Sequence, residues 1–260
     1  MSDFDRNTAR WGQAVPQAGR AQIDQGLRSY MLGVYNNMVI GLAITGLIAY
    51  GANMLAVTHD PAQAVAHFGH IYLTAFGQAL YFSPLKWLVV FAPLALVFFF
   101  SFQINRISAS TARALFLVFS AAMGLSLSTL VLVYTGNSIA RAFFITAASF
   151  GALSLYGYTT PRSLSAMGSF MMMGLFGLII ASVVNIFLHS TGLQFALSIL
   201  TVIIFAGLTA WDTQSIKEMY YASDDHETAE KKSVNGALRL YLDFINIFVA
   251  LLQLTGSRNN

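Results

Sequence analysis

Three ionisable residues lie inside long apolar segments near the C-terminus of the chain: Asp212, Arg239 and Asp243. A charged side chain inside a bilayer costs about 2.5 to 3.5 kcal/mol on insertion scales, so it usually faces the interior of a helix bundle and has a function. Asp212 lies about 7.5 Å along its helix from Lys217, and Asp243 lies about 10 Å along the next helix from Gly236. Because consecutive helices run antiparallel, the two carboxyl groups can converge on one site.

Two neighbouring carboxyl groups in a low dielectric do not both ionise easily, and they titrate as one coupled unit. Such a pair can share a proton or bind a hard cation such as Ca²⁺, whose preferred ligands are oxygen atoms. A structural alternative is that Asp243 pairs with Arg239, one turn earlier on its own helix, while Asp212 reaches the lipid headgroups. The spacing leaves both interpretations open.

The sequence offers little support for catalysis. Two aspartates on adjacent membrane helices also describe intramembrane aspartyl proteases, but these carry Gly-x-Gly-Asp around the second aspartate, where this chain has Leu240-Tyr-Leu-Asp243. The chain has no His-Glu-x-x-His motif, no Gly-x-Ser-x-Gly elbow and no phosphate-binding glycine loop. We therefore expect a protein that is not an enzyme and has no cofactor, with Ca²⁺ as a possible bound or transported ion.

The elements that must position these residues are membrane-spanning helices. Hydrophobic residues make up 56% of the 260 residues and charged residues only 10%, against about a quarter charged in soluble domains. A bilayer core of about 30 Å needs about 20 apolar residues per helix, and the long neutral stretches of this chain meet that length. We predict an all-α membrane protein with seven transmembrane helices, near residues 31–56, 87–104, 114–134, 142–158, 167–188, 193–216 and 237–254.

The distribution of basic residues predicts the orientation in the bilayer. Ten Lys and Arg residues fall in the connections on one side and three on the other, and cytoplasmic loops carry the excess. We therefore predict a cytoplasmic N-terminal segment at residues 1–30, a transmembrane domain at residues 31–256 and a C-terminus outside. The net charge is +3, and the basic residues are dispersed along the chain, so the sequence shows no basic cluster of the kind that binds nucleic acid.

Two connections are longer than a turn. Residues 57–85 are expected to form an outside loop with a short surface helix, in which His67 and His70 could bind a metal ion as a less favoured alternative. Residues 217–236 are rich in charge and are expected to form a solvated cytoplasmic loop.

Three stretches carry a resemblance to a known family. The segments Ala206-Gly-Leu-Thr-Ala-Trp-Asp-Thr-Gln-Ser-Ile-Lys217 and Leu240-Tyr-Leu-Asp-Phe-Ile-Asn-Ile-Phe248 resemble the paired C-terminal motifs of the Bax inhibitor-1 family. The stretch from Ser154 to Gly168 resembles the proteobacterial branch, whose members associate with a membrane-bound ATP-dependent protease. The resemblance spans nearly the whole chain and is strongest from Gly151 onward.

The resemblance implies a seven-helix fold in which the other six helices surround the last one. It further implies a bacterial inner membrane protein whose aspartate pair, here Asp212 and Asp243, binds the cation and senses pH for a Ca²⁺ leak. In some relatives an arginine at the end of the second helix bonds to the closed pair. Arg106 or Asn105 lies near that position, so Arg106 is a possible gating partner, as is Arg239. A non-catalytic partner of the protease is the alternative function, with residues 1–28 as its expected contact.

Overall fold

The computed structural model of the protein describes residues 17–104 and 106–259. Over these residues the chain forms eight α-helices, one 3₁₀ helix (Pro61–Gln63) and one small sheet, and seven of the α-helices are long and apolar enough to cross a bilayer. The prediction of an all-α membrane protein with seven spans is confirmed. The helices are α1 (Gln17–Ala56), α2 (Ala75–Tyr81), α3 (Leu85–Gln103), α4 (Ala109–Val133), α5 (Gly136–Thr159), α6 (Ser165–Leu188), α7 (Thr191–Glu218) and α8 (His226–Thr255).

The last helix, α8, lies at the centre of the bundle. In the apolar stretch of 18 residues within α8, 56% is buried, whereas the corresponding stretches of α7 and α6 are 39% and 6% buried. It packs against α1, α4, α5 and α7, while α3 packs on α4 and α6 packs on α7. The predicted central position of the last helix is confirmed, but four helices rather than six form its main contacts, because α3 and α6 pack on the outer side of α4 and α7. Most residues in the apolar part of α8 are therefore shielded from lipid.

Large apolar side chains cover the outer surface of the bundle. Phe102 of α3 and Phe187 of α6 are 78% and 79% exposed, and many other aromatic and aliphatic side chains of these helices are similarly uncovered. A soluble monomer does not expose apolar surface on this scale, because water penalises it. The outer faces of α3 and α6 are therefore surfaces that contact lipid.

The helix α8 begins at His226, so the expectation of a loop over residues 217–236 was wrong for its second half. The first turns of α8 carry an ion pair of 3.0 Å between Glu227 and Lys231, four residues apart, which supports a helix in water. Val234 is already fully buried. Hydropathy locates where a helix enters the apolar phase, but the helix itself continues beyond that point. At the other end of the chain, α1 likewise begins at Gln17, well before the apolar segment.

Residues 57–85 contain α2 as the expected surface helix and also a sheet that the sequence did not predict. The strands are β1 (Val57–Thr58), β2 (Ala66–Phe68) and β3 (Ile71–Leu73), in the antiparallel order β1-β3-β2. Strands of two or three residues are too short to show an alternating pattern. The His67 ring lies 5.1 Å from the ring of Tyr72, and the described residues contain no group of three or more His, Asp or Glu that could hold a metal.

The close approach of α5 and α7 depends on Gly157, because a Cβ at this position would collide with the backbone carbonyl of Ala210. We expect Gly157→Ala to lower the free energy of unfolding by about 1 to 3 kcal/mol through overpacking. Gly151→Ala, on the same helix, is the matched control because nothing lies within 4 Å of its added Cβ. Thermal unfolding in detergent measures both variants. Equal melting temperatures for the two would contradict the described contact between α5 and α7.

Candidate functional site

The facing surfaces of α7 and α8 follow a heptad spacing that is polar at most positions. Residues spaced alternately by three and four lie along one face of a helix. We call these residues the polar seam, although Phe205, Leu208 and Ala250 within it are apolar. On α7 the seam comprises Gln194, Ser198, Thr201, Phe205, Leu208, Asp212 and Ser215, and on α8 it comprises Arg239, Asp243, Asn246, Ala250 and Gln253.

Asp212 and Asp243 meet in this seam. They are only 7% and 3% exposed, and their carboxyl groups lie within hydrogen-bonding reach of each other. The Oδ2 atom of Asp243 is buried and receives a hydrogen bond from no donor within the described part of the chain. Two carboxylates have no donor hydrogen between them, so the contact becomes favourable when one carboxyl is protonated or a cation is bound.

Arg239 completes the site from one turn earlier on α8. Its Nη2 donates a short hydrogen bond to Oδ1 of Asp212, and its Nη1 lies 3.4 Å from Oγ of Ser215. Its guanidinium carbon lies 5.4 Å from the ring centre of Trp211, a cation–π arrangement that stabilises the charge. The arginine therefore pairs across the helix interface with Asp212, whereas the structural alternative from the sequence had paired it with Asp243.

Asp212, Arg239 and Asp243 form a triad whose net charge is zero in only one protonation state. Two carboxylates and one guanidinium carry a net charge of −1, one added proton makes the triad neutral, and a second makes it +1. In the interior of a membrane protein the neutral state avoids the cost of a buried net charge. The arrangement of Asp212, Arg239 and Asp243 is therefore chemically suited to bind one proton, or to exchange that proton for a cation.

Arg106 lies away from the pair. It is exposed in the turn between α3 and α4, and it forms no ion pair with either aspartate over the residues that the structure describes. Asn105, the other candidate at this position, lies outside the described residues. Of the two arginines named from the sequence, the structure brings only Arg239 to the aspartates.

A chain of buried and partly buried hydroxyl groups links three helices beside the pair. The Tyr35 hydroxyl lies 2.6 Å from Oγ of Ser154, and that atom lies 2.9 Å from Oγ1 of Thr213, the residue after Asp212. Thr213 in turn donates to the carbonyl of Thr209 at 2.8 Å. These contacts tie α1 and α5 to the segment of α7 that carries Asp212. Sequence reasoning missed them because hydroxyl residues in a span also serve for packing alone.

The amide side chains of the seam were missed as well, although the sequence held a signal for them. Asn246 and Gln253 follow Asp243 at three and ten residues, which is the spacing of one helix face. Asn246 donates to the carbonyl of Leu242 at 2.8 Å, and Gln253 accepts from Ser198 at 2.9 Å. The polar character of α8 therefore extends from Arg239 almost to the end of the helix.

Comparison with known protein families gives one match over most of the chain. The family model described as "Inhibitor of apoptosis-promoting Bax1" matches residues 27–260. This range includes all seven apolar helices from residue 27 onward and every residue of the polar seam.

Curated bacterial proteins are similar to this chain over nearly their whole length. An uncharacterised protein of Rickettsia prowazekii is 47% identical over 91% of this chain and 93% of its own length. An uncharacterised protein of Caulobacter vibrioides is 42% identical over 98% of both chains. The inner membrane protein YbhL of Escherichia coli is 42% identical over 90% of this chain and 93% of its own. None of these three names refers to a catalytic activity.

Proposed function

Because the chain belongs to the Bax inhibitor-1 family of membrane proteins, we propose that it is a pH-sensitive cation leak channel of the bacterial inner membrane, with Ca²⁺ as the ion that passes. The aspartate pair is its sensor and its cation site. The inner membrane is assigned by analogy with YbhL, whose name gives that location. In this proposal the pair binds and releases protons and cations and catalyses no reaction.

The observation that carries the proposal is the convergence of Asp212, Asp243 and Arg239 in one buried interface. Carboxylate oxygens are the ligands that Ca²⁺ prefers, and it takes six to eight oxygens in all. Water and the neighbouring amide and hydroxyl groups of the polar seam can supply the remainder. A Ca²⁺ ion between the carboxylates would replace the proton and displace the positive charge of Arg239.

Gating follows from the charge balance of the same three residues. With one shared proton the triad is neutral, and Arg239 holds α8 to α7 through Asp212. Loss of that proton, or gain of a second, leaves a net charge in a low-dielectric interior, which favours separation of the helices and entry of water. The neutral triad is accordingly the closed state, and the proton occupancy of the pair decides whether cations pass.

The direct test is Ca²⁺ flux into liposomes that contain the purified protein. We expect flux above that of empty liposomes, with a several-fold change between about pH 5 and about pH 8, where a proton-sharing carboxyl pair titrates. The flux is recorded with an indicator trapped inside the vesicles. Flux no greater than that of empty liposomes over this whole range would overturn the proposal.

The charge distribution supports an N-terminus in the cytoplasm and a C-terminus outside, because ten basic residues of the connections fall on one side and three on the other. We expect an alkaline phosphatase fused after residue 260 to be active, since this enzyme matures only outside the cytoplasm. A fluorescent protein fused at the same place should be dark if it is exported unfolded. The reverse pair of results would contradict a seven-span topology with this orientation.

A second candidate is a non-catalytic partner or modulator of a membrane-bound ATP-dependent protease. This candidate is motivated by the resemblance of residues 154–168 to the proteobacterial branch of the family. The expected contact, residues 1–28, lies largely outside the described residues, since the structure begins at residue 17. Absence of flux in the liposome experiment, together with co-purification of such a protease with the intact chain, would favour this candidate over the leak channel.

A further inference from the structure

A cavity of about 360 Å³, lined by seven polar and five apolar residues, lies between α6, α7 and α8, at the end of the bundle where α6 connects to α7. Amide and hydroxyl groups from all three helices line it. They include the side chains of Asn185, Gln194, Ser198, Thr201, Asn246 and Gln253. Such a concentration of polar groups inside helices of this hydropathy needs a physical reason, since each group must be satisfied by a partner or by water.

Hydrogen bonds connect these groups at the end of the cavity near the connection between α6 and α7. Asn185 donates to Gln194 at 3.2 Å, and Gln253 accepts from Ser198 at 2.9 Å and from Gln194 at 3.4 Å. Gln194 and Gln253 are exposed, and each is close to a helix end, since α7 begins at Thr191 and α8 ends at Thr255. The cavity thus opens near the level where water and headgroups begin.

On the side of Asn246, the cavity approaches the aspartate pair along α8. Asn246 lines the cavity, and Asp243 lies three residues earlier on the same face, about 4.5 Å along the helix. Asp243 also carries the buried Oδ2 atom that has no donor among the described residues. On the α8 side, therefore, one helical turn separates the cavity from an unsatisfied carboxyl oxygen.

On the α7 side, two apolar side chains separate the cavity from Asp212. Phe205 and Leu208 occupy the two seam positions between Thr201 and Asp212, and both are buried against Ile247 of α8. Bulky apolar side chains at a narrow point exclude water and thereby stop ions without a physical plug. Polar residues occupy the seam on both sides of Phe205 and Leu208.

We infer that the cavity is a water-filled vestibule through which hydrated cations reach Asp243 from the side of the membrane opposite the connection between α7 and α8. Phe205 and Leu208 form the constriction that closes it. The role in cation passage rests on the proposed function, but the presence of water in the cavity does not. The competing explanation is that the amide groups only hold the helices together in a dry interior.

Accessibility of single cysteines to a membrane-impermeant cationic thiol reagent tests the vestibule, because the chain contains no cysteine of its own. We expect Ser198→Cys and Asn246→Cys to react from the side that labels Thr191→Cys, an exposed position at the start of α7. Ile247→Cys, adjacent to Asn246 but packed against Phe205 and Leu208 and not part of the cavity lining, should stay unreacted. Tyr221→Cys, in the α7–α8 connection, should react only from the other side.

The outcomes separate this inference from the proposed function. Failure of Ser198→Cys and Asn246→Cys to react while Thr191→Cys reacts would overturn the vestibule, even if the protein conducts Ca²⁺. A loss of folding by either variant is detected by size-exclusion chromatography, and Thr201→Cys then replaces it.

The constriction has a separate readout in the liposome assay. We expect Phe205→Ala to raise Ca²⁺ flux several-fold at the pH where the wild type is closed, with Phe187→Ala, a lipid-facing change on α6, as the control that leaves flux unaltered. Unchanged flux in Phe205→Ala, in a protein that otherwise conducts, would refute its role as the constriction. If the cavity cysteines are labelled but the protein shows no flux, the vestibule is supported and only the proposed leak function is overturned.

Discussion

Asp212→Asn and Asp243→Asn are each expected to remove the pH dependence of Ca²⁺ flux, leaving a low flux that does not change between about pH 5 and about pH 8. Asparagine keeps the shape of aspartate and one acceptor oxygen, but it has an NH₂ donor in place of the second oxygen and cannot change its charge. Either variant leaves one carboxylate and one guanidinium, Arg239, whose charges cancel without a proton. Each variant therefore resembles the singly protonated, closed state of the wild type.

The control for these variants is Asp224→Asn. Asp224 lies in the connection between α7 and α8, and it pairs with Lys232 at 2.5 Å outside the polar seam. Asp224→Asn removes that ion pair but leaves the charges of Asp212, Arg239 and Asp243 unchanged, so the flux of this variant should follow pH as in the wild type. A pH response that persists in both seam variants would mean that the sensor lies elsewhere. A response lost equally in all three would point to a general effect on folding.

Arg239→Leu is expected to lower the free energy of unfolding by about 3 to 5 kcal/mol, because removal of one partner of a buried ion pair leaves the other charge uncompensated. The loss should shrink as the pH falls, since protonation of both carboxyl groups makes the remaining pair neutral. The measurement is denaturant unfolding in detergent micelles at two pH values. Ser215→Ala, which removes only the 3.4 Å contact to the arginine, is the control and should cost little.

The double variant Asp212→Asn with Arg239→Leu separates the ion pair from simple packing. If the single change acts through the uncompensated carboxylate, the double variant should recover most of the lost stability, because a neutral amide then faces the leucine. Recovery would appear as a strong non-additivity between the two single changes. Additive losses would show that Arg239 contributes chiefly through its packing on Trp211, and the charge balance on which the gating proposal depends would then be wrong.

The sequence by itself determined the features that depend on local composition. Long neutral segments gave the number of spans, because any helix in hydrocarbon needs about 20 apolar residues whatever its neighbours are. Asp212 and Asp243 stood out because few ionisable residues interrupt those segments, and their distances from the connection gave a similar depth. The same local signal missed the helical residues 226–236, where charged side chains lie on a helix that extends into water.

The tertiary structure decided which groups meet. Depth along a helix follows from residue count, but the choice of Asp212 over Asp243 as the partner of Arg239 depends on the rotation of α7 and α8 about their axes and on side-chain rotamers. The sequence pattern leaves both of these free. The central position of α8, the exposure of Arg106 and the gathering of Asn246 and Gln253 with α6 residues around one cavity likewise arise from packing between distant segments. Such packing is a property of the whole bundle, because the position of each helix depends on close packing with all of its neighbours.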